Sequence, residues 1–501
     1  MNFLEKDIIK RDYFLYFLLF FTSLINFIIN NLFFYNIDYF FDICIIFVIF
    51  YLIITIFFTG LSYLNFNFEK YGYAFFLLWY FQFYYRDIYN FFELDFDGDQ
   101  IQKYLIVIFL IILSFLFLYL SKIKKFRYFL KIFLIVFLFL NLFSNFYISQ
   151  SSNWKYKADN QFLVKFKELS NSTNKKNIYF FLMDEMTSTR VYQDMGLEIS
   201  SYIKNYESKG YKDFKNIYSN YNGSQITIGS LFNIDYYPIE KSIKEEYFYP
   251  YNLYNKEKPL LMKILENLKY NFWYLDNQYM KCKNINNIQC INETDENYFH
   301  KILFDEALNI FFYKSFLNKF FYKYKFNTMN KIFKNTEIDY FKKFLENNSD
   351  VISNKNNFFF IHQMNPHYPF RNSNCDVLNK PYEVNLENYL SSTVCALNKI
   401  NEIINLIEVF DDEAIVIFQG DHGFSQFSKN NPQDYRSYEI FNLVKVSSNC
   451  NLNDDHNLGN VEQLRSILLC SFGKNYTSRS SKKYYVKKRS KKIGTILDEV
   501  N

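Results

Sequence analysis

Five long apolar stretches in the first 148 residues constrain the fold more than any other feature of this sequence. They are Tyr13 to Phe33, Phe40 to Leu64, Gly72 to Tyr85, Tyr104 to Leu120 and Phe129 to Ile148. Most approach the ~20 residues that a helix needs to cross a bilayer, and the third is short enough to be a buried or re-entrant helix. No small-residue cleavage site follows the first stretch, which indicates an anchor and not a removable signal peptide. The sequence therefore predicts a multi-span α-helical membrane domain over residues 1–148.

The charges between these stretches predict their orientation. Lys6, Lys10 and Arg11 precede the first stretch, Lys70 separates the second from the third, and the basic segment SKIKKFR separates the last two. With five spans, every connector of net positive charge falls on one side, as the positive-inside rule expects. We therefore expect a protein of the bacterial inner (cytoplasmic) membrane whose N-terminus lies on the cytoplasmic side. The chain after Ile148 is then expected on the periplasmic or extracytoplasmic side.

The composition changes beyond the apolar stretches. Residues 149–175 are mostly polar and lack sustained periodicity, which predicts a linker. Strand-like and helix-like segments then alternate through residues 176–473, a pattern typical of an α/β sandwich with a largely parallel sheet. Residues 474–501 include the run SSKKYYVKKRSKK, which predicts a basic, solvated C-terminal tail, with contact to anionic lipid headgroups as the alternative. No segment resembles a nucleic-acid-binding module.

The cysteines predict disulfides. Of seven cysteines, one lies in the second apolar stretch and six lie in the later part of the chain. An oxidising compartment favours disulfide formation, and we expect pairing between neighbours in sequence. The expected pairs are Cys282 with Cys290, Cys375 with Cys395, and Cys450 with Cys470.

Three predicted strands end in residues that bind metals. NIYFFLMD ends at Asp184 and is followed by Glu185, FFFIH ends at His362, and AIVIFQ leads into Gly-Asp-His-Gly with Asp421 and His422. In open α/β sheets, ligands bind beyond the carboxyl ends of the strands. Carboxylates and imidazoles that meet at this edge predict a divalent metal. Zinc or manganese suits such ligands best, with calcium and magnesium as the alternatives.

A hydroxyl group opens a predicted helix in the segment SNYNGSQITIGSLFNIDY. The helix begins at about Ser224, where backbone N–H groups and the positive end of the helix dipole favour a bound phosphate or sulfate. Coordination to a metal would lower the pKa of that hydroxyl and make it a covalent nucleophile. The alternative is an ordinary N-cap serine.

Together these motifs resemble the sulfatase branch of the alkaline phosphatase superfamily. The layout is most similar to membrane-anchored phosphoethanolamine transferases and lipoteichoic acid synthases. GDHG after a strand is the most specific element, and FFLMDEMTS, FIHQMNPHYPF and YRSYEIFNLVKV also match the family's order. The resemblance covers about Asn177 to Phe472 and the five-span anchor. It implies an α/β sandwich of alkaline phosphatase/sulfatase type after the membrane domain.

The resemblance also implies metal ligands. Asp184 would be one ligand, with Glu185 as a possible second, and Asp421 and His422 would complete the site.

The remaining roles concern the nucleophile and the substrate. Ser224 occupies the nucleophile position, and Thr227 is the alternative because the register of GSQIT is fixed only to within a few residues. His367, and with less support His362, would contact the transferred group or protonate the leaving oxygen. The alternative for His362 is a packed histidine at the end of a strand. Arg436 would pair with substrate oxyanions, with a surface role as the alternative.

One departure from the family affects the expected chemistry. Sulfatases usually carry Cys or Ser in a Cys-x-Pro-x-Arg context that is converted to formylglycine. Here no cysteine lies between Cys44 and Cys282, and NGSQITIGS contains no arginine. This favours direct attack of a serine or threonine hydroxyl on phosphorus.

The expected function is therefore that of a membrane-anchored, metal-dependent transferase. It would transfer a phospho-group, phosphoethanolamine or phosphoglycerol, through a Ser/Thr covalent intermediate. Membrane lipids such as phosphatidylethanolamine or phosphatidylglycerol would be the donors, and a cell-surface glycan the acceptor. A sulfatase-like ester hydrolase and a catalytically inactive glycan-binding membrane protein are the alternatives.

Overall fold

The computed structural model describes most of the chain in separate ranges. These are residues 3–31, 41–63, 75–81, 83, 100–121, 123–150, 175–237, 243, 248–249, 251–254, 258–275, 282, 286–291, 335–378, 383–447, 450, 452, 458–474, 482–490 and 494–500. The chain divides into two compact units, Met1–Ser151 with Glu296–Met329 and Ser152–Asp295 with Asn330–Asn501. Residues 151–174 of the predicted linker lie outside the described residues.

The first unit contains four long helices. They are α1 (Phe3–Asn31), α2 (Phe41–Tyr63), α3 (Gln100–Ser121) and α4 (Lys124–Gln150). Each overlaps one of the predicted apolar stretches, and residues 75–81 within the short third stretch are also helical. Aromatic side chains pack inside this unit, where Phe20 stacks on Trp79 with ring centroids 4.8 Å apart.

The length and hydropathy of these helices bear on the predicted membrane domain. In the described part of the chain, no helix combines the length and the apolar character that crossing a membrane requires. The five-span membrane domain therefore stays a prediction.

The second unit is built on a seven-stranded sheet with the strand order β2-β8-β7-β1-β6-β4-β5. The strands are β1 (Ile178–Met183), β2 (Lys212–Asp213), β4 (Asn271–Leu275), β5 (Ile288–Ile291), β6 (Asn357–Gln363), β7 (Ile415–Gly420) and β8 (Asn442–Lys445). The neighbours from β7 through β5 are parallel, whereas β8 and β2 join antiparallel at one edge. Two short strands, β3 (Ile217–Tyr218) and β9 (Leu458–Gly459), pair separately. The predicted largely parallel sheet is confirmed.

The central strands are apolar along their whole length because both faces of the sheet are covered. All six residues of β1 are buried. On one face, Phe181 stacks on Phe418 at 4.7 Å, and on the other Phe232 packs edge-on against Phe360 at 4.8 Å. The even and odd residues of β1 therefore enter two different hydrophobic cores.

Helices cover both faces and complete the α/β sandwich. Those of the second unit are α5 (Thr189–Asp194), α6 (Ser200–Glu207), α7 (Ser224–Asn233), α8 (Tyr251–Tyr254), α9 (Leu260–Asn267), α10 (Glu337–Asn347), α11 (Ser349–Ser353), α12 (Leu386–Phe410), α13 (Ser425–Asn430) and α14 (Asn460–Ser471). Helices α7, α9 and α14 supply one core, and α10 and α12 supply the other. Helix α12 begins at Leu386, and the side chain of its N-cap Asn385 accepts a hydrogen bond from the N–H of Asn388.

The register of the parallel strands brings three strand ends together. Met183, the last residue of β1, pairs with Gln363 of β6 and with Gly420 of β7. The residues that follow β1 and β7 therefore start at the same level of the sheet, as the sequence predicted.

The three expected disulfides are confirmed. Bonds join Cys282 to Cys290, Cys375 to Cys395, and Cys450 to Cys470. All three lie in the second unit, whereas Cys44 has a free thiol in the first.

The prediction of a solvated C-terminal tail is wrong. Strands β10 (Lys483–Ser490) and β11 (Gly494–Val500) form an antiparallel hairpin. Only 7% of the Tyr484 surface is exposed, because its ring packs against Tyr221. Within the basic run, Tyr484 and Val486 lie two residues apart and pack in one cluster with Tyr221, whereas Tyr485 between them packs against Tyr218 and Tyr438.

Candidate active site

Asp184 is the first residue after β1 and lies at the centre of the site. Its N–H donates to the carbonyl of Gln363 at 2.9 Å, and its Oδ1 accepts a hydrogen bond from the Ser224 hydroxyl at 3.3 Å. Its Oδ2 is buried and accepts no hydrogen bond. Burial raises the pKa of Asp184 well above its usual range, and the nearby charges of Asp421 and Glu185 raise it further. This carboxylate is therefore costly to ionise unless a positive charge lies beside it.

Asp421 and His422 occupy the turn after β7. Asp421 Oδ1 accepts the N–H groups of Glu185 and His422 at 2.8 and 2.7 Å, and its buried Oδ2 accepts no hydrogen bond. Nδ1 of His422 donates to the carbonyl of Gly423 at 2.7 Å, which leaves the lone pair of the neutral ring on Nε2. That Nε2 lies 3.4 Å from Asp421 Oδ2 and 3.2 Å from Ser224 Oγ.

The two glycines of the Gly-Asp-His-Gly motif allow this turn to pack against other backbone. A Cβ atom on Gly420 would lie 2.1 Å from the carbonyl oxygen of Met186, and one on Gly423 would lie 2.1 Å from that of Arg436. Both contacts are far inside the van der Waals distance. The motif therefore needs glycine on each side to hold Asp421 and His422 at the edge of the sheet.

The residues present suit a divalent metal. Asp184, Asp421 and His422 are all buried, and each offers a donor atom within 4.8 Å of the others. Two of these donors are carboxylate oxygens that accept no hydrogen bond, and the third is an imidazole lone pair. A buried carboxylate oxygen that accepts no hydrogen bond and has no counter-charge is unfavourable, so a cation beside the two Oδ2 atoms would stabilise them. Mixed nitrogen and oxygen donors fit zinc or manganese.

The structure distinguishes the two nucleophile candidates. Ser224 is the first residue of α7, and its hydroxyl contacts Asp184 and His422 as described above. Thr227 lies almost one turn further and is fully buried. Its Oγ1 is 3.2 Å from Ser219 Oγ and 3.3 Å from the carbonyl oxygen of Tyr221. Ser224 therefore lies beside the candidate metal-binding residues, and Thr227 stabilises the turn before the helix.

Glu185 adopts a different role from its neighbour. It has a positive φ of 60°, and its Oε1 accepts the N–H of Ser425 at the start of α13 at 3.3 Å. The hydroxyl of Tyr389 donates to its carbonyl oxygen at 2.6 Å. Glu185 thus orients the loop, and its carboxylate is not one of the three grouped donors. Sequence reasoning missed Tyr389, because its position in an amphipathic helix indicates only a core residue.

The two candidate histidines lie close to Asp184. Nε2 of His362 is 3.7 Å from Asp184 Oδ2, and its ring packs edge-on against Tyr249 at 5.3 Å. Burial lowers the pKa of His362 to about 4, which keeps the ring neutral at pH 7. His367 is in the loop between Pro366 and Pro369, where 12% of its side chain is exposed and Nδ1 is 4.0 Å from Asp184 Oδ2.

The hydrogen bonds of His367 define its tautomer. Its Nδ1 donates to the carbonyl of Tyr368 at 2.9 Å, which leaves the Nε2 lone pair of the neutral ring. Burial lowers the pKa of His367 below its usual value. Its backbone N–H also donates to the Asp184 carbonyl at 3.3 Å. Of the two histidines, His367 is therefore the partly exposed one beside the metal-binding carboxylate.

Arg436 is directed to other partners. Its guanidinium donates to both carboxylate oxygens of Asp434, at 3.0 and 2.7 Å, and lies 3.8 Å from the ring centroid of Phe427. This arrangement matches the surface role that was the alternative for Arg436.

Comparison with known proteins gives similarity in structure only. No family model matches this sequence, and no curated protein matches it. The chain is similar to the C-terminal periplasmic domain of EcEptC from Escherichia coli in complex with Zn, with 12% identity, a TM-score of 0.37, and coverage of 58% of this chain and 81% of that one. It is also similar to the C-terminal periplasmic domain of phosphoethanolamine transferase EptC from Campylobacter jejuni, with 14% identity, a TM-score of 0.39, and coverage of 60% and 90%. The lipoteichoic acid synthase LtaP from Listeria monocytogenes matches with 12% identity, a TM-score of 0.37, and coverage of 65% and 83%.

These proteins are of the kinds that the sequence motifs resemble. At such identities and TM-scores, the similarity carries no argument about function. The function proposed below rests on the geometry of the site.

Proposed function

We propose that the second unit is a metal-dependent phosphotransferase of alkaline phosphatase/sulfatase type, with Ser224 as its nucleophile. The position of the Ser224 hydroxyl carries this proposal. Its Oγ lies 3.3 Å from Asp184 Oδ1 and 3.2 Å from His422 Nε2, at the N-terminus of a ten-residue helix. A hydroxyl held against the proposed metal-binding groups in the first turn of a helix, whose N-terminus favours a bound phosphate, suits attack on a phosphate ester.

Asp184, Asp421 and His422 would hold the metal. When bound, the metal would supply positive charge that polarises the phosphoryl oxygens and favours the ionised serine hydroxyl.

The transfer would proceed in two balanced steps. First, Ser224 Oγ forms a bond to phosphorus, the bond from phosphorus to the leaving oxygen breaks, and the leaving oxygen takes up a proton. Asp184 Oδ1 is the acceptor within reach of the serine proton before attack, because the Nε2 lone pair of His422 would be bound to the metal. In the second step the acceptor hydroxyl loses its proton and its oxygen bonds to phosphorus, the bond from phosphorus to Ser224 Oγ breaks, and Ser224 Oγ takes up the released proton. His367 would contact the transferred group, because it is the partly exposed imidazole beside Asp184, and it would protonate the leaving oxygen only after its Nε2 has taken up a proton.

The compartment and substrates are part of the proposal. Three disulfides in the second unit favour an extracytoplasmic location for this unit. The five apolar stretches in the sequence of residues 1–148 are the basis for proposing a bacterial inner-membrane protein and a phospholipid donor. Phosphatidylethanolamine and phosphatidylglycerol are the proposed donors, and a surface glycan hydroxyl is the proposed acceptor.

The full-length protein in vesicles of either phospholipid tests this proposal, with release of diacylglycerol as the readout. Ser224→Ala should lower the rate roughly 10⁶-fold, as removal of a covalent serine nucleophile does in other enzymes. Thr227→Ala should keep the rate within about threefold, because this hydroxyl bonds only to the preceding turn. Full activity in Ser224→Ala would contradict the proposal.

Nothing in the site favours the sulfatase alternative. Residue 224 is a serine without the Cys-x-Pro-x-Arg context. We expect peptide mass spectrometry to find no formylglycine at this position, and we expect no release of sulfate from aryl sulfate esters.

A further inference from the structure

The C-terminal hairpin contacts the segment that leads directly into α7. The N–H of Tyr484 donates to the carbonyl of Asn220 at 2.8 Å, and the Asn220 side-chain amide donates to the carbonyl of Lys482 at 2.7 Å. The N–H of Val486 donates to the side-chain oxygen of Asn222 at 3.0 Å. Strand β10 therefore pairs with residues 220–222, which end two positions before the candidate nucleophile.

Aromatic packing reinforces these hydrogen bonds. The rings of Tyr221 and Tyr484 stack with centroids 5.5 Å apart, and both residues are buried. The same cluster includes Ile226 in the first turn of α7 and Tyr237 beyond its end. The N–H of Tyr237 donates to the Tyr221 hydroxyl at 2.8 Å. The hairpin thus contacts the chain before Ser224 and packs with side chains on the helix after it.

The local sequence fixes the start of α7 only weakly. Its N-cap is Gly223, which offers no side-chain hydrogen bond to the first turn, and the space around its Cβ position is open. Glycine also has more backbone freedom than any other residue. An external contact is therefore needed to hold the Ser224 hydroxyl in one place, and β10 supplies it.

We propose that the β10–β11 hairpin is a positioning element that holds Ser224 in register with Asp184 and His422. This inference rests on the proposed function, because it concerns the geometry of the same nucleophile. The hairpin touches neither Asp184 nor His422 through any hydrogen bond of the described residues, so its effect acts through residues 220–222. The predicted role is in orienting the hydroxyl for attack and not in binding the substrate.

The test uses the full-length protein with Asn222→Ala, Val486→Pro and the double variant. Each single change removes one partner of the same hydrogen bond. Because misplacement of a reacting atom by about 1 Å can cost up to roughly 10²-fold in rate, we expect each to lower kcat about tenfold with KM within about twofold. The kcat of the double variant should be no more than about twofold below that of either single variant, because the two changes remove the same hydrogen bond. The inference would be overturned if the two single reductions in kcat multiplied in the double variant, or if kcat were unchanged in the single variants.

A matched control separates positioning from general stability. Asn205 is an exposed asparagine on α6 whose amide donates to Asn401 at 2.8 Å, away from the site. Asn205→Ala should leave kcat unchanged. An equal loss of kcat in this control would overturn the positioning role.

Hydrogen exchange gives a readout that does not need catalysis. In Asn222→Ala and Val486→Pro, amide exchange across residues 219–228 should rise about tenfold, with little change in the central strands. Unchanged exchange in this segment would contradict the hairpin inference whatever the activity. If the full-length protein is inactive but exchange across residues 219–228 still rises in these variants, the proposed function is contradicted. The inference that the hairpin holds the start of α7 would then still stand.

Discussion

The Oγ of Ser224 lies 3.2 Å from Nε2 of His422, although 198 residues separate the two in sequence. The contact exists because α7 begins beside the edge at which β1 and β7 end. The hydrogen bond from His422 Nδ1 to the Gly423 carbonyl directs the Nε2 lone pair toward that serine. One nitrogen thus lies near both the candidate nucleophile and the two carboxylates proposed to bind the metal.

Metal binding should depend on Asp421 and not on Glu185. Asp421→Asn keeps an oxygen for the N–H groups of Glu185 and His422 but removes the charge at the buried Oδ2. We expect the affinity for zinc or manganese to fall about 100-fold or more, because one of three ligands is lost. Glu185→Gln is the matched control, since a glutamine oxygen can still accept the N–H of Ser425. Calorimetric titration and elemental analysis after dialysis measure both variants.

Equal metal content in Asp421→Asn and the unmodified protein would contradict this assignment. A loss of metal in Glu185→Gln alone would show that the ligand set is built on Glu185.

The glycines of the motif should be intolerant of a methyl group. Gly420→Ala and Gly423→Ala each place Cβ 2.1 Å from a backbone oxygen, which only a shift of the turn can relieve. We expect each to lower the free energy of unfolding by about 2–4 kcal/mol. A Cβ on Gly223 would meet no atom within 4 Å, so Gly223→Ala should lower the free energy of unfolding by about 1 kcal/mol or less. Denaturant unfolding at fixed metal concentration compares the three, and wild-type stability in Gly420→Ala would refute the close approach.

Arg436→Ala should leave substrate binding almost unchanged. The guanidinium is held by Asp434 and Phe427, so removing it costs a surface ion pair of about 1 kcal/mol or less. We expect KM within about twofold of the unmodified protein. A tenfold or larger increase in KM would restore Arg436 as a substrate-binding residue.

Asp213 should make the stability depend on mildly acidic pH. Burial raises the pKa of Asp213 to about 6, above the usual value of about 3.9 for an aspartate. Between these values the folded protein binds more protons than the unfolded chain. The contribution of this group to stability is therefore fully present below about pH 4 and is lost as the pH rises through about 6.

Asp213→Asn tests this dependence. The variant should gain stability relative to the unmodified protein as the pH rises from about 4 to about 6, in denaturant unfolding at constant metal. Asp350→Asn, at an exposed aspartate on α11, is the control and should show no such trend across that window. A constant difference between Asp213→Asn and the unmodified protein would contradict the raised pKa.

Local sequence patterns were sufficient to predict the strands that carry the candidate site. Short apolar runs ending in Asp184 and in Asp421-His422 predicted buried parallel strands, and parallel strands bring their ends to one edge. The two glycines beside Asp421 and His422 are visible in the sequence, and the structure explains them, because a Cβ on either would clash with the carbonyl oxygen of Met186 or Arg436.

Contacts between distant segments decided what the sequence left open. Asp184 and Glu185 are adjacent carboxylates, and they differ because the positive φ of Glu185 directs its side chain to Ser425, 240 residues away. The C-terminal hairpin was missed because its high charge masks the alternation of Tyr484 and Val486. Its partners at residues 220–222 lie about 260 positions earlier in the chain.

The most direct test of the central claim is peptide mass spectrometry of the full-length protein after brief reaction with a phospholipid donor, with bound metal quantified on the same sample. The account predicts a phospho-group on the peptide that contains Ser224, together with zinc or manganese, and no adduct in Asp421→Asn. An unmodified Ser224 peptide in a metal-loaded, reacting sample, or an adduct on Thr227, would contradict it.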